Sequence, residues 1–305
     1  MYRMLAAALL WAGLSAATLP PATRMTPVDP LRVTDDDFAR HRDPGEWRGL
    51  IVSQLEFREE RAAWRLWRIV NSRHRHGPLW FVPHDNENAG FEAALVAVRR
   101  YGGTVIAVDA GVADDGVRTN RAVDYGRPVD PNRNFDSALP GYARRILADL
   151  PRGVPVIALH TNARGFDTAE SGCNRSDPPG SGVISIRYCD DVLSPSPSKR
   201  RAWPWDDDDT VAFATHRTGA PRSTAFCGRE MVQADFNVVF ERVVTSDRSL
   251  SNYAVLHGIR YLNFETRDRG DSADGLAESR RRLNHIIDRA LALCSPGVTK
   301  ATHRQ

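Results

Sequence analysis

Of the 305 residues 42% are hydrophobic and 26% charged, a balance that suits one sizeable globular domain and excludes a disordered or fibrous chain. Against 38 acidic residues stand 41 basic ones, a formal net charge of +3, and the basic residues are spread along the chain instead of gathered in one block. Nucleic acid is therefore not an implied partner. Lys199 and Lys300 are the only lysines, a bias that codon composition explains more simply than chemistry does.

The chain opens MYRMLAAALLWAGLSAATLPP. Arg3 makes a short basic region, Leu5 to Leu14 an apolar run, and Ser15-Ala16-Ala17 a small-residue cleavage site, the layout of a secretory signal peptide over residues 1–17. No later segment approaches the roughly 18 consecutive apolar residues that a membrane span needs. The expectation is an exported protein, periplasmic or extracellular, with no stable span once the signal is removed. Export permits disulfides. Cys173, Cys189, Cys227 and Cys294 are even in number and lack a C-x-x-C spacing, so two disulfides are expected in place of a thiolate metal site. Three pairings are open, and Cys173 with Cys189 and Cys227 with Cys294 is the preferred one.

Residues 18–45 show no sustained periodicity and read as a leader that packs on the outside of the domain or stays mobile. From Glu56 to Asn71 the apolar residues Phe57, Ala62, Trp64, Leu66, Trp67, Ile69 and Val70 fall at roughly helical spacing, which predicts an amphipathic helix. A strand at Leu79–Val82, a helix at Asn88–Tyr101 closed by Gly102-Gly103, and a strand at Thr104–Val108 follow. Further on come a helix at Tyr142–Leu150, apolar runs at Val154–Leu159 and Ile259–Phe264, and a last helix at Ala277–Leu293. Between Thr161 and Thr210 the chain is rich in Gly, Pro, Ser and Asp, with one strand expected at Val183–Tyr188. Long loops of this kind usually shape a site. The alternation predicts an α/β fold: a single domain over residues 46–296 with a mixed, mainly parallel central sheet covered by helices on both faces, and a tail at 297–305.

Chemistry gathers at one edge of that sheet. His84 and Glu87 follow the first strand, His160 ends the run Val154–Leu159, and Glu265 follows Phe264. Ligands bind at the carboxyl edge of α/β sheets. The i, i+3 spacing lets His84 and Glu87 reach one point, and His160 completes a two-histidine, one-carboxylate set that suits zinc and leaves a fourth position open for water. Manganese or cobalt would fit the set less well. His74, His76, His216, His257, His285 and His303 have no acidic partner at ligand spacing and read as surface or structural. Asp206 to Asp209 reads as a solvated loop ahead of a calcium site.

The segments HDNE (His84 to Glu87), NRNF (Asn132 to Phe135), ALH (ending at His160) and FETRD (Phe264 to Asp268) resemble, in order and in chemical type, those of the zinc carboxypeptidase-like superfamily. The stretch from Asn120 to Asp136 is similar to the aspartoacylase and succinylglutamate desuccinylase branch. The resemblance implies one Zn2+ per chain held by His84, Glu87 and His160, and Glu265 as general base. It also implies Arg127 facing the oxyanion, and Asn132 with Arg133 holding a substrate carboxylate. The superfamily's mobile tyrosine has no clear match; Tyr253 is a candidate that reads more simply as a packed aromatic.

These expectations describe an exported zinc hydrolase that cleaves an amide bond beside a free carboxylate, on a peptide, with cell-wall peptide as one substrate. One alternative is an N-acyl amino acid deacylase of the aspartoacylase type, and the other a catalytically silent peptide-binding module. A binding module needs no metal-ligand set with a base beside it. Oligomeric state is open.

Overall fold

The computed structural model describes residues 23–59, 62–110, 129–138, 140–162, 192–200 and 210–301. The expected signal peptide, Arg127, the strand at Val183–Tyr188, Cys173, Cys189, Asp206 to Asp209 and His303 lie outside the described residues.

The stretch predicted as a helix is a hairpin. β2 (Leu50–Glu59) and β3 (Ala62–Asn71) pair antiparallel, with Phe57 opposite Trp64 and Leu55 opposite Leu66. β3 lies inside the sheet and both its faces are covered. Trp64 and Leu66 enter one core, and Trp67 and Ile69 enter the other. Apolar residues on both faces of a strand imitate helical spacing, and the aromatic and β-branched content decides for the strand. The preceding stretch also joins the domain: β1 (Arg24–Pro27) pairs with β2, and Phe38 of α1 (Asp36–Ala39) is fully buried, stacked on Trp47 at 5.2 Å.

β4 (Leu79–Val82), α2 (Asn88–Tyr101) and β5 (Thr104–Val108) form the expected strand, helix, strand unit. Its closing turn requires glycine. Gly102 and Gly103 have φ of 76° and 85°, and a Cβ on either would collide with the carbonyl oxygen of His74 or Pro78. α3 (Gly141–Ile146) is shorter than the predicted helix and leads into β6 (Val156–Asn162). After β7 (Leu193–Ser196) come β8 (Thr210–Arg217), α4 (Gly228–Gln233), β9 (Asn237–Val243), α5 (Leu250–Leu256), β10 (Tyr261–Arg267) and α6 (Ala273–Cys294).

The strands form one mixed sheet in the order β1-β2-β3-β5-β4-β6-β10-β8-β9-β7. Its centre, β5-β4-β6-β10, is parallel throughout, and antiparallel ladders flank it on both sides. Alternation along the central strands divides the core in two. Trp80, Val82, Ile157, Leu159, Leu262 and Phe264 pack under α2, α4 and α6. Leu79, Phe81, Val156, Ala158 and Tyr261 pack under α3 and α5 with Phe135. Cys227 and Cys294 form the expected disulfide, Cα atoms 5.5 Å apart, tying the start of α4 to the end of α6. Among the described residues no helix is long and apolar enough to cross a membrane.

Candidate metal centre

His84 stands two residues past the end of β4, and Glu87 is the residue that caps α2. His160 and Glu265 are placed differently from the expectation: each lies within its strand, in the carboxyl half, and not beyond its end. The apolar runs stop at Leu159 and Phe264, but the backbone ladder continues, pairing Glu265 with His160 and Arg267 with Asn162. Alternation puts His160 on the α3/α5 face with Val156 and Ala158, and Glu265 on the same face with Tyr261.

His84, Glu87 and His160 are all buried, and their ligand atoms lie within 4.8 Å of one another. Glu87 is the pivot. Its Oε1 is 2.7 Å from His84 Nδ1, and its Oε2 is 3.0 Å from His160 Nδ1 and accepts the Thr161 N–H at 2.9 Å. Burial pushes the Glu87 carboxyl up, but the two histidines outweigh it and hold the group well below the usual carboxylate range. An ionised carboxylate facing two imidazole nitrogens is a donor set suited to a divalent metal such as zinc. His160 Nε2, the ring nitrogen turned from Glu87, is buried without a hydrogen-bond partner. Among the described residues the cluster can therefore hold a metal ion.

The sequence reading missed the residue behind His84. Asp130 Oδ1 lies 3.0 Å from His84 Nε2 and also accepts the Asn132 N–H at 2.8 Å, capping the turn Pro131–Arg133. A carboxylate on the far nitrogen fixes the tautomer and orientation of a ligating histidine. The signal was the D-P-N-R order, in which an Asp before Pro caps a short helix.

Glu265 receives amide donors from two sides. Asn263 Nδ2 donates to its Oε1 at 2.8 Å, and Asn162 Nδ2 donates to its Oε2. Both asparagines lie two residues from a singled-out residue on the same strand face, a period-two signal that was readable. Asn132 and Arg133 arrive at the same edge with the Asp130 turn. Asn132 Oδ1 accepts the Leu250 N–H at 3.3 Å, and Arg133 pairs with Asp247 at 3.5 Å with both side chains close to half exposed. Tyr253 packs against Phe135 and stacks on His257, as a structural aromatic does.

Within HDNE, Asp85 serves the fold. Asp85 accepts the Ala110 N–H at 3.0 Å, away from the His84, Glu87, His160 cluster. Burial and the neighbouring carboxylates Asp35 and Asp109 push it up to about 8. Asp109 is held by Arg65 through two bonds of 2.5 and 2.6 Å. Asn88 donates to Asp271 at 2.7 Å and ties α2 to the segment after β10.

No family model matches the chain, and no curated protein does. Among solved structures it is similar to a proposed metallopeptidase of Shewanella denitrificans OS217, at 14% identity and a TM-score of 0.41 over 92% of this chain and 99% of that one. It is also similar to the succinylglutamate desuccinylase of Chromobacterium violaceum, at 14% identity and a TM-score of 0.38, covering 79% and 74% of the two chains. A succinylglutamate desuccinylase/aspartoacylase from Rhodobacter sphaeroides gives 14% and 0.41 over 83% and 67%. These are likenesses of fold at low identity, and the chemistry of the site stands on its own residues.

Proposed function

We propose that this chain is a zinc-dependent hydrolase that cleaves an amide bond next to a free carboxylate. One observation carries the reading: a buried cluster of His84, Glu87 and His160 has its His160 in register with a carboxylate, Glu265, on the adjacent strand. His84, Glu87 and His160 would hold the metal, which when bound polarises the scissile carbonyl and makes water a nucleophile near neutral pH.

The remaining steps belong to the chain's own side chains. Glu265 takes a proton from the attacking water and returns it to the amine as the carbon–nitrogen bond breaks. The Asn162 and Asn263 amides hold its carboxylate in place between those transfers. Arg133 binds the substrate carboxylate as a planar, permanently charged donor pair, exchanging its exposed contact with Asp247 for the ligand. Because Asn132 Oδ1 is committed to Leu250, its amide nitrogen remains as the donor beside Arg133. Arg127 is assigned to the developing oxyanion, a role the resemblance implies. The amino-terminal signal peptide would export the enzyme, bringing cell-wall peptides within reach.

Elemental mass spectrometry on protein purified without chelator tests the reading, using wild type, His160→Ala and Glu265→Gln. One zinc per chain in wild type and Glu265→Gln, little in His160→Ala, and hydrolysis by wild type alone are the expected results. Peptides with free C-termini, run beside short N-acyl amino acids, separate a carboxypeptidase from a deacylase. Absence of metal in wild type even after zinc is supplied would sink the reading.

A further inference from the structure

The end of β10 away from the metal centre borders a cavity of about 380 Å³ that no step above uses. β8 and β10 run antiparallel, so the last residues of β8 lie beside the first of β10. Phe226 packs on the core under α4 and α6, and Ile259 on the core under α3 and α5, so the cavity lies where the two layers meet the sheet edge. Its lining is graded. Tyr261 and Thr215 are buried, Phe226, Val255 and Ile259 half-buried, and Arg217 and Arg260 exposed. The interior is therefore mainly apolar and the mouth cationic, and no carboxylate among the described residues lines it.

Both arginines are held in place by backbone carbonyls. Arg217 closes the end of α5, donating from Nε to the Val255 carbonyl at 3.1 Å and from Nη2 to that of Leu256. Arg260 donates from Nη1 to the Gly153 carbonyl at 2.9 Å, and its guanidinium stands over the Phe226 ring at 5.6 Å. Neither pairs with a carboxylate among the described residues. The Nε–Nη2 edge of Arg260 takes no hydrogen-bond partner there. That same edge is the one Arg65 gives to Asp109 and Arg68 to Asp149, a two-bond match to a carboxylate.

We propose that this cavity binds a medium-chain alkyl carboxylate, with its head on the Arg260 edge beside Arg217 and its chain against Phe226, Val255 and Ile259. At roughly 30 Å³ for each water-sized group the cavity holds about a dozen of them, which suits octanoate and is too small for a long-chain acid. Tyr261 stands four residues before Glu265 on β10, roughly 13 Å along the strand. Occupation of the cavity thus requires no metal, and the proposal is independent of the hydrolase reading.

Titration calorimetry with octanoate, its neutral isostere octanamide, and hexanoate tests this on metal-free and zinc-loaded protein. Octanoate should bind about tenfold or more tighter than octanamide, which lacks the charge. Hexanoate should bind about tenfold more weakly than octanoate, at about fourfold for each buried methylene. Both ratios should be the same with and without zinc. Arg260→Gln should bring octanoate down to the level of octanamide. Val255→Phe fills the interior and leaves both arginines in place, and it should weaken octanoate and octanamide alike. Melting curves check the fold of each variant, and Val255→Phe carries the test if Arg260→Gln does not fold. Equal binding of octanoate and octanamide, no binding of octanoate, binding that survives both substitutions, or binding that requires zinc would overturn the proposal.

Discussion

Glu265 and His160 face each other across one rung of the parallel ladder between β10 and β6, so backbone pairing sets their side-chain separation, without any loop. Asn162, two residues beyond His160, then fixes the Glu265 carboxylate. Asn162→Ala should leave metal content at the wild-type level and lower kcat/KM by about ten- to a hundredfold, through misplacement of the base. Steady-state kinetics beside elemental analysis read both quantities, and unchanged kinetics would show that Asn263 alone suffices to position Glu265.

Asp130 touches His84 on the nitrogen away from Glu87. Asp130→Asn should weaken zinc affinity about 10- to 100-fold while the fold persists. Competition with a chromophoric chelator measures the affinity. An unaltered constant would mean that packing alone, and not the carboxylate, orients the ring.

Gly90 lies in the first turn of α2, where a Cβ would stand 3.0 Å from the carbonyl oxygen and 3.4 Å from the carbonyl carbon of Leu159, the residue before His160. Gly90→Ala should lift the start of α2 and draw Glu87 away from His160. The expected cost is about 1–3 kcal/mol in stability, together with looser metal binding. Thermal melting and zinc titration on the same variant test both effects.

His41 lies buried between Glu46 at 3.1 Å and Glu92 at 3.0 Å, fastening the segment before Trp47 to α2. Burial pulls the imidazole pKa down, but its two carboxylate partners outweigh that and raise it above its ordinary 6.5. Burial likewise pushes Glu92 up, and His41, Arg40 and Arg280 outweigh it, leaving it below 4.5. The His41 contribution is therefore complete below pH 6.5 and fades as pH rises through the raised value. The Glu92 contribution is complete above pH 4.5 and fades as pH falls through the lowered one. His41→Gln should cost most at about pH 5.5 and less at about pH 9 when melting curves are compared with wild type. Equal losses at both would assign His41 to packing.

The Cys227–Cys294 bridge closes a sequence separation of 67 residues. Replacing both cysteines by alanine should lower stability by about 4 kcal/mol on the chain-entropy account. Zinc stoichiometry should not change, since the bridge joins α4 to α6 away from the metal ligands. Denaturant unfolding and elemental analysis give the two values.

Much of the fold is legible in the sequence. β4, α2 and β5 occupy the residues their patterns predict, because an apolar tetrad, a helical period and a Gly-Gly stop each have one physical reading there. The cluster of His84, Glu87 and His160 was legible through its spacing and its place at the carboxyl edge of the sheet. The hairpin β2–β3 was not, since Trp64, Leu66, Trp67 and Ile69 serve two cores at once and so lose the alternation that marks a strand. The strand ends at His160 and Glu265 were placed short because hydropathy ends where the site begins, whereas backbone hydrogen bonding does not. Asp130 and Asn263 left readable traces, the D-P-N-R order and a period-two spacing from Glu265, but their contacts with His84 and Glu265 come only with the fold.

The ladder that joins residue 160 to residue 265 has one more consequence, in time instead of space. His84 and Glu87 are local to one turn, but the full centre exists only after a strand from late in the chain has docked beside one from its middle. Contacts of such long sequence separation form slowly. Under the proposed ligand set, zinc uptake during refolding would report the docking of β6 beside β4, and hydrolytic competence the later docking of β10.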